Sequence, residues 1–416
     1  MSGEFFRSFR YPTHLREYEK GRDSASANDP GGVWHAQSQR RFSIPSGVAG
    51  INLRKTARYA GENCDPLQTG AITRLRGFSS VSNVLRTLLM HVGTGWSLRE
   101  TSVRAKLAGI ADVSDVTLLN RLRQSESWLR QLCQQLWKDN GVDLSPAIAG
   151  YPVRVVDGTV VKEPGKTGTQ WRLHYSLRLP SLECEEFILT PAHGQGNGDR
   201  LGRFEFRQGE LILADAGFSK PPGVTAVNRK DARICVRLNP GTLPLLDSRG
   251  RPLMLQERLK SLSRPGQVAQ WQVWVPCGGE RVAGRVCVIR KSEDAIARAQ
   301  RNIQLKVNRG KGTLSQERQQ YACYVMVFTT LPEDAATAEQ VLEGYRLRWQ
   351  IELTFKRLKS IVQLGHVPKL DDQSSRAWLL GKLFVALLSQ KLVRVGRTTS
   401  PWGYTYFQRS AAEQLA

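Results

Sequence analysis

Hydrophobic residues along this chain change their period, and each change marks a boundary. From about Ser79, residues Val81, Val84, Leu85, Leu88 and Leu89 recur at intervals of three and four, the spacing of one helical face. Gly93 and Gly95 interrupt the pattern, and Ser97 with Glu100 forms a capping box for a second helix, SLRETSVRAKLA. Gly109 ends that helix. Ser114 or Asp115 then caps a third, VTLLNRLRQSESWLRQLCQQLW. Short helices joined at a Gly-containing turn, the later one studded with Arg121 and Arg123, read equally as a DNA-binding helix-turn-helix and as a small helical bundle.

Past the turn-rich joint Pro146 to Pro152 the period shortens to that of strands. VRVVDGTVV (153–161) is a β-branched run with Asp157 inside it. WRLHYSLRL (171–179) alternates Trp171, Leu173, Tyr175, Leu177 and Leu179 on one face, and EEFILTP follows. A Gly-rich turn leads to a short helix expected around Asp199 to Phe206. ELILADAGFS (210–219) then ends an apolar strand on Asp215, and RICVRL (233–238) adds another. Three strands, a helix and a strand ending in Asp is the element order of a ribonuclease-H-like α/β domain, in which functional carboxylates sit near strand ends. Taken singly, Asp157 before Gly158 also suits a turn, and Asp215 a helix cap.

Residues 239–330 break the order. Turn chemistry in PGTLPLLDSRGRPL precedes strands at WQVWVP and GRVCVIR, a very basic RAQRNIQLKVNRGKG, and a strong strand at YACYVMVFTT. The expectation is a β-rich insertion at about 239–320, with the last strand returning to the main sheet. Helical periodicity resumes after Pro332-Glu333-Asp334 and runs through YRLRWQIELTFKRLK (345–359). At 100° per residue, Tyr345, Arg348, Glu352 and Lys359 fall within about 60° of one another. Leu347, Ile351, Phe355, Leu358 and Val362 fill an adjacent core-facing arc. One helix therefore buries one side and points an aromatic ring, a guanidinium, a carboxylate and an ammonium toward a common space. The plainer alternative is a surface pair between Glu352 and Lys356. A further helix, RAWLLGKLFVALLSQKLV, packs behind.

Composition narrows the partners. The 416 residues suffice for two or three domains and are 40% hydrophobic, enough for a sizeable core. Lys and Arg number 60 against 37 Asp and Glu, a net charge of +23 that suits a polyanionic partner, nucleic acid before others. The longest apolar run, Ala377 to Val393, is interrupted by Lys382 and Lys391 and is too short to span a bilayer, so no membrane is expected. Seven dispersed cysteines without a C-x-x-C pair fit free thiols in a reducing compartment, and the first thirty residues show no apolar leader, which places the protein in the cytoplasm. Residues 1–74 hold no sustained period and are expected to be largely disordered and basic, able to touch DNA phosphates, with an over-long start to the reading frame suspected. The helical segment is set at 75–148, the α/β segment at 149–395, and a polar tail at 396–416.

Three carboxylates drawn from separate segments into one pocket repel one another unless a cation neutralises them. With neither thiolate nor imidazole at metal spacing, oxygen ligands favour Mg²⁺ or Mn²⁺, two ions per site, which suits phosphodiester chemistry. Arg348 and Lys359 can grip phosphates, and Tyr345 can donate to a phosphate oxygen or stack on a base.

Tyr345-x2-Arg348-x3-Glu352-x6-Lys359 resembles the Tyr-Arg-Glu-Lys signature of DDE transposases encoded by family-four insertion sequences of bacteria, and VVDGT and LADAGFS resemble that family's two Asp motifs. SLRETSVRAKLAGIADVSDVTLLNRLRQSESWL and GHVPK…RAWLLGKLFVALL are also similar, so the likeness covers about residues 75–395. It implies Asp157, Asp215 and Glu352 as the catalytic, metal-binding triad, with Tyr345, Arg348 and Lys359 on the phosphates of the transposon end. It also implies inverted-repeat DNA and target DNA as partners, a homodimer in the synaptic complex, and cut-and-paste transposition through a hairpin. The competing expectations are a ribonuclease-H-like DNA nuclease that cleaves without joining, and an inactive DNA-binding protein from a decayed element. Trp271 and Trp274 in the insertion and His193 in the PAHGQG loop read more simply as core and loop residues.

Overall fold

The computed structural model describes residues 66–140, 144–162, 170–194, 196–310, 315–365, 367–368 and 371–399. Expectations for residues 1–65 and for the tail beyond 399 lie outside the described residues. Residues 58–390 form one compact unit, which holds the sheet, the site and the described helices except the C-terminal turns of the last one.

Helices α1 (Val81–Thr94), α2 (Leu98–Leu107), α3 (Asp115–Gln124) and α4 (Glu126–Asn140) come first. Their starts follow cap chemistry: Ser80, Ser97 and Ser114 each accept from the backbone N–H three residues on. The long third helix expected from periodicity is two helices. Ser125 sits between them, buried, its hydroxyl donating 2.7 Å to the Leu122 carbonyl, a local bond that competes with helix continuation. Ordered packing starts before the expected residue 75, since Ala71 and Ile72 are buried in the core. Arg121 and Arg123 are both engaged internally: Arg121 donates to the Arg74 carbonyl, and Arg123 pairs with Asp371 at 3.1 Å.

The strands are β1 (Pro146–Ile148), β2 (Tyr151–Lys162), β3 (Gln170–Leu179), β4 (Cys184–Pro191), β5 (Leu211–Ala214), β6 (Arg233–Arg237), β7 (Val268–Cys277), β8 (Glu280–Arg290) and β9 (Tyr324–Thr329). Interleaved with them are α5 (Pro221–Asn228), α6 (Leu255–Lys260), α7 (Glu293–Asn308) and α8 (Gln316–Ala322), followed by α9 (Ala338–Tyr345), α10 (Gln350–Ser360) and α11 (Asp372–Thr399). The fold is mixed α/β around one mixed sheet. Its order among the described residues is β4-β3-β2-β5-β6-β9-β8-β7, with β1 beside the start of β2. The β2–β5 and β5–β6 pairs are parallel and the others antiparallel. The hairpin β7–β8 is hydrogen-bonded through β8 to β9, so these strands of the expected insertion continue the sheet. Trp271 on β7 is half-buried and Trp274 is exposed.

Alternation along the strands builds two apolar layers. Val153, Val155, Leu173, Tyr175, Leu211 and Leu213 face a core shared with α1–α4 and α9–α11, so both helical groups cover one side of the sheet. Val156, Ile212, Ala214 and Ile234 face the other, with Val224, Val227 and Leu259 from α5 and α6. Burying a large apolar side chain stabilises by about 1.5–3 kcal/mol, and Trp128, Trp171 and Phe384 are all essentially inaccessible. On the second side the buried guanidinium of Arg154 meets Glu186 at 2.5 Å and that of Arg178 meets Glu210 at 2.6 Å, pairing charges that burial would otherwise penalise. Among the described residues Cys133, Cys184, Cys235 and Cys287 are buried free thiols, and Cys277 and Cys323 are free and half-buried. No described helix is long and apolar enough to cross a membrane.

The return from β9 to the last helices is pinned by Arg285 of β8. Its buried guanidinium donates to the carbonyls of Leu331 (3.0 Å), Pro332 (3.2 Å) and Ala336. Thr337 and Gln340 then close a reciprocal capping box that starts α9.

Candidate active site

Register brings the first two carboxylates together. Val153–Val156 of β2 pair in parallel with Leu211–Ala214 of β5, which makes Asp157 and Asp215 the next pair as β5 ends. Neighbouring strands lie about 4.7–4.9 Å apart. Two residues beyond Val155 and Leu213, both aspartates emerge on the α10 side of the sheet. The N–H of Gly158 donates to Asp157 Oδ1 at 2.7 Å, and Asp215 caps a 3₁₀ turn over Ala216–Phe218 by accepting from the Ala216 N–H. The simple capping role open to Asp215 is thus realised alongside its position at the strand end.

Burial is the largest influence on Asp157 and pushes its carboxyl up to about 6. The Gly158 N–H and Arg348 pull it back, while Asp215 and Asp199 push it further. Arg348 stands across the site: its Nη1 lies 3.5 Å from Asp157 Oδ2, and its Nη2 donates to Glu352 Oε1. Burial would lower this guanidinium, yet Tyr345, Glu352 and Asp215 together raise it. Glu352 itself is nearly half exposed at 47%, with Arg348 as its partner. Lys359, two turns on, donates 2.7 Å to the Thr159 hydroxyl on the same face of β2 as Asp157. Burial lowers its ammonium. Lys356, the alternative partner of Glu352, lies 6.0 Å over the Trp349 ring.

Tyr345 occupies a different place from the other three. The expected continuous helix tightens to a 3₁₀ turn over Arg346–Trp349. Four residues at 120° instead of 100° turn Tyr345 by about 80° relative to Glu352. Its ring is buried and its hydroxyl donates 3.0 Å to the Ala214 carbonyl, one residue before Asp215. Burial pushes this phenol up.

Asp157 and Asp215 therefore sit side by side, and Glu352 is joined to Asp157 through the guanidinium of Arg348. Among the described residues no three His, Cys, Asp or Glu side chains are gathered closely enough to share a metal ion. Even so, the donor chemistry suits a hard divalent cation: the groups are all carboxylates, and burial beside another acid holds Asp157 in a state a cation would relieve. His193, in the loop ahead of β5, accepts at its carbonyl from the Asn197 side chain at 2.7 Å. Asp199 and Arg172 were not among the expected residues. They lie behind Gly158; the glycine in each Asp motif, DGT and DAG, marks a close approach in the sequence without identifying what approaches.

The family profile described as "Transposase DDE domain" matches residues 195–388, a span that contains Asp215 and Glu352 and begins after Asp157. The chain is 33% identical over 333 residues to the InsL protein of insertion sequence element IS186A from Escherichia coli (strain K12), covering 78% of this chain and 88% of the relative. It is 33% identical over 334 residues to the transposase for insertion sequence element IS421 of Escherichia coli, with the same coverage. Similarity extends to the transposase for insertion sequence element IS231C of Bacillus thuringiensis subsp. berliner, 24% identical over 64% of this chain and 62% of that one. With Asp157 inside one strand, Asp215 at the end of its parallel neighbour, a Glu-bearing helix beside them and relatives matched over most of their length, this chain belongs to the DDE transposases of insertion sequences.

Proposed function

We propose that this transposase binds the terminal inverted repeats of its insertion sequence and moves the element by metal-dependent cut-and-paste strand transfer, with Asp157, Asp215 and Glu352 as the catalytic set. The observation that carries this reading is the parallel register placing Asp157 beside Asp215 under the helix of Glu352. The order β4-β3-β2-β5-β6, antiparallel for three strands and then parallel, supports a ribonuclease-H-like core in which Asp157 lies within β2 beside the end of β5 that carries Asp215.

Asp157, Asp215 and Glu352 would hold Mg²⁺ or Mn²⁺, two ions per site. When bound, such ions activate an attacking oxygen and neutralise the charge on the leaving one. For Glu352 to join the aspartates its carboxylate must leave Arg348, and a DNA phosphate is the natural replacement partner for that guanidinium. Lys359, exposed on the same helix, adds a second phosphate contact as a point charge. Tyr345 is implied as a third DNA contact; in its present position its hydroxyl holds the strand end that precedes Asp215.

The chemistry is a series of in-line displacements at phosphorus. Water attacks the phosphodiester at the element's end and releases a 3′-hydroxyl. That hydroxyl attacks the opposite strand and forms a hairpin, water reopens it, and the freed end attacks target DNA. Each attack exchanges one P–O bond for another, so no covalent protein intermediate is required. One active site serves one end, which calls for a homodimer bridging two ends, in the bacterial cytoplasm.

Incubating the full-length protein with donor DNA carrying the element's inverted repeats, a target plasmid and Mg²⁺ tests this. Integrated product is the expected result. Excision or nicking alone would favour a nuclease, and binding without cleavage would favour an inactive DNA-binding protein. Asp157→Asn should abolish cleavage while leaving end binding intact; retained cleavage would remove Asp157 from the set.

A further inference from the structure

Each aspartate motif carries a glycine that its own backbone does not require. Gly158 follows Asp157 and Gly217 stands two residues after Asp215, and neither adopts a positive φ. What they share is a neighbour. A Cβ added at Gly158 would lie 2.5 Å from Asp199 Oδ1 and 3.2 Å from Arg172 Nε, and one at Gly217 would lie 3.5 Å from Asp199 Oδ2. Gly158 is in register with His174 and faces the side of the sheet away from the Asp157 carboxylate. Asp199 therefore sits behind the two aspartates, against the backbone that follows each.

Its carboxylate is held rather than free. Arg172 of β3 donates from Nε to Oδ1 at 2.9 Å and from Nη2 to Oδ2 at 2.5 Å, a two-pronged pair with side chains only 22% and 18% exposed. Behind it, fully buried His174 directs Nδ1 toward Asp199 Oδ1 at 3.7 Å, too long for a hydrogen bond. Burial, with Arg203 adding to it, lowers that imidazole to about 4, so it faces Asp199 neutral. Arg172 is therefore the cation that fixes the carboxylate in place. The next residues, Arg200 to Phe204, turn away through a 3₁₀ segment whose Leu201 is buried under the sheet, which anchors the loop on its far side.

We propose that Asp199 is a positioning residue for strand cleavage: clamped by Arg172, its carboxylate is the surface on which the stretch of β2 after Asp157 and the turn after Asp215 are seated, and it sets the spacing of those two carboxylates. This rests on the reading of Asp157 and Asp215 as metal ligands. The physical reason is tolerance: catalytic geometry misplaced by about 1 Å can lose about 100-fold in rate, and the backbone carrying two such groups needs a support of fixed size. A glycine at 158 is the complement of that support.

The test is Mn²⁺ binding to the full-length protein, read by electron paramagnetic resonance, beside cleavage of end DNA and end-binding affinity. Asp199→Ala should raise the Mn²⁺ concentration for half-saturation by about 10–100-fold, the usual effect of removing an outer-shell partner, with end binding unchanged. Gly158→Ala should do the same, because its Cβ displaces the carboxylate. Combining the two should be no worse than the more severe single change, since removing the carboxylate makes room for the Cβ. Losses that multiply, or Asp199→Ala binding Mn²⁺ like the parent, would reduce the Asp199–Arg172 pair to an ordinary structural contact and overturn the proposal. Should Asp199→Ala fail to fold, Asp199→Asn retains the size and one bond to Arg172, and half-saturation between parent and Ala is expected; parental binding there also overturns it. A parent protein taking up no Mn²⁺, indistinguishable from Asp157→Asn, would sink the metal reading itself and this inference with it. Parental uptake that Asp157→Asn abolishes and Asp199→Ala leaves alone sinks only the latter.

Discussion

At the scale of single residues, the Asp157 carboxyl is held in the fold at the expense of stability. Its carboxyl rises from an ordinary 3.8 to about 6, chiefly through burial. A raised acid favours the protonated form in the fold, so that contribution is fully present below about pH 4 and is lost as pH rises through about 6. Two units correspond to about 3 kcal/mol at most. In metal-free buffer Asp157→Asn should therefore be more stable than the parent at pH 7.5 by up to that amount, and the gap should close by pH 4. Urea denaturation at both pH values checks this, and a pH-independent difference would remove burial as the cause. Asp157 and Asp215 were legible in the sequence because each sits where an apolar β-run meets a small residue. Asp199 was not, since nothing in PAHGQGNGDR says that its carboxylate lands behind a glycine forty-one positions earlier.

Element by element, the differences from periodicity have local causes. Ser125 splits one expected helix by bonding the Leu122 carbonyl, and the 3₁₀ turn over Arg346–Trp349 rotates Tyr345 inward. Periodicity assumes a constant 100° per residue and so misses a change in pitch within a helical run. The side that buries Ile351, Phe355 and Leu358 did follow the apolar stripe, because burial is what the stripe encodes. In β8, Gly284 lets β9 approach: a Cβ there would lie 2.6 Å from the Phe328 ring and 2.7 Å from the Thr329 carbonyl. One strand residue on, Arg285 pins the connection leading to α9 and α10. Gly284→Ala should destabilise the fold by about 1–3 kcal/mol through overpacking and also reduce cleavage, by loosening the helix that bears Glu352. Thermal unfolding and the end-cleavage rate measure the two effects, and an unchanged melting temperature would show that the strands relax freely.

Over the whole molecule, an excess of 23 positive charges is spread across a chain whose site is acidic. Much of the exposed basic charge stands away from the site. On α7, Arg298, Arg301 and Lys306 are exposed, as is Arg309 just after it, while Ile296 is buried on the other side. If these four touch DNA phosphates, replacing them with Ala should make the plot of log affinity against log salt shallower by up to about 3.6, or about 0.9 per contact. End-binding isotherms between 50 and 200 mM salt read the slope, and an unchanged slope would place α7 outside the DNA path. What the sequence determined on its own is whatever is written in short-range pattern: strand or helix, apolar side, cap, and the spacing of the Tyr-Arg-Glu-Lys and Asp motifs. Only the tertiary structure decided that Asp157 and Asp215 are neighbours across a parallel pair, that the β7–β8 hairpin extends the sheet, and that Arg348 stands between Asp157 and Glu352. The reason is physical: period and propensity act over a few residues, whereas register and the pairing of buried charges are settled by segments far apart in the chain competing for one low-dielectric space.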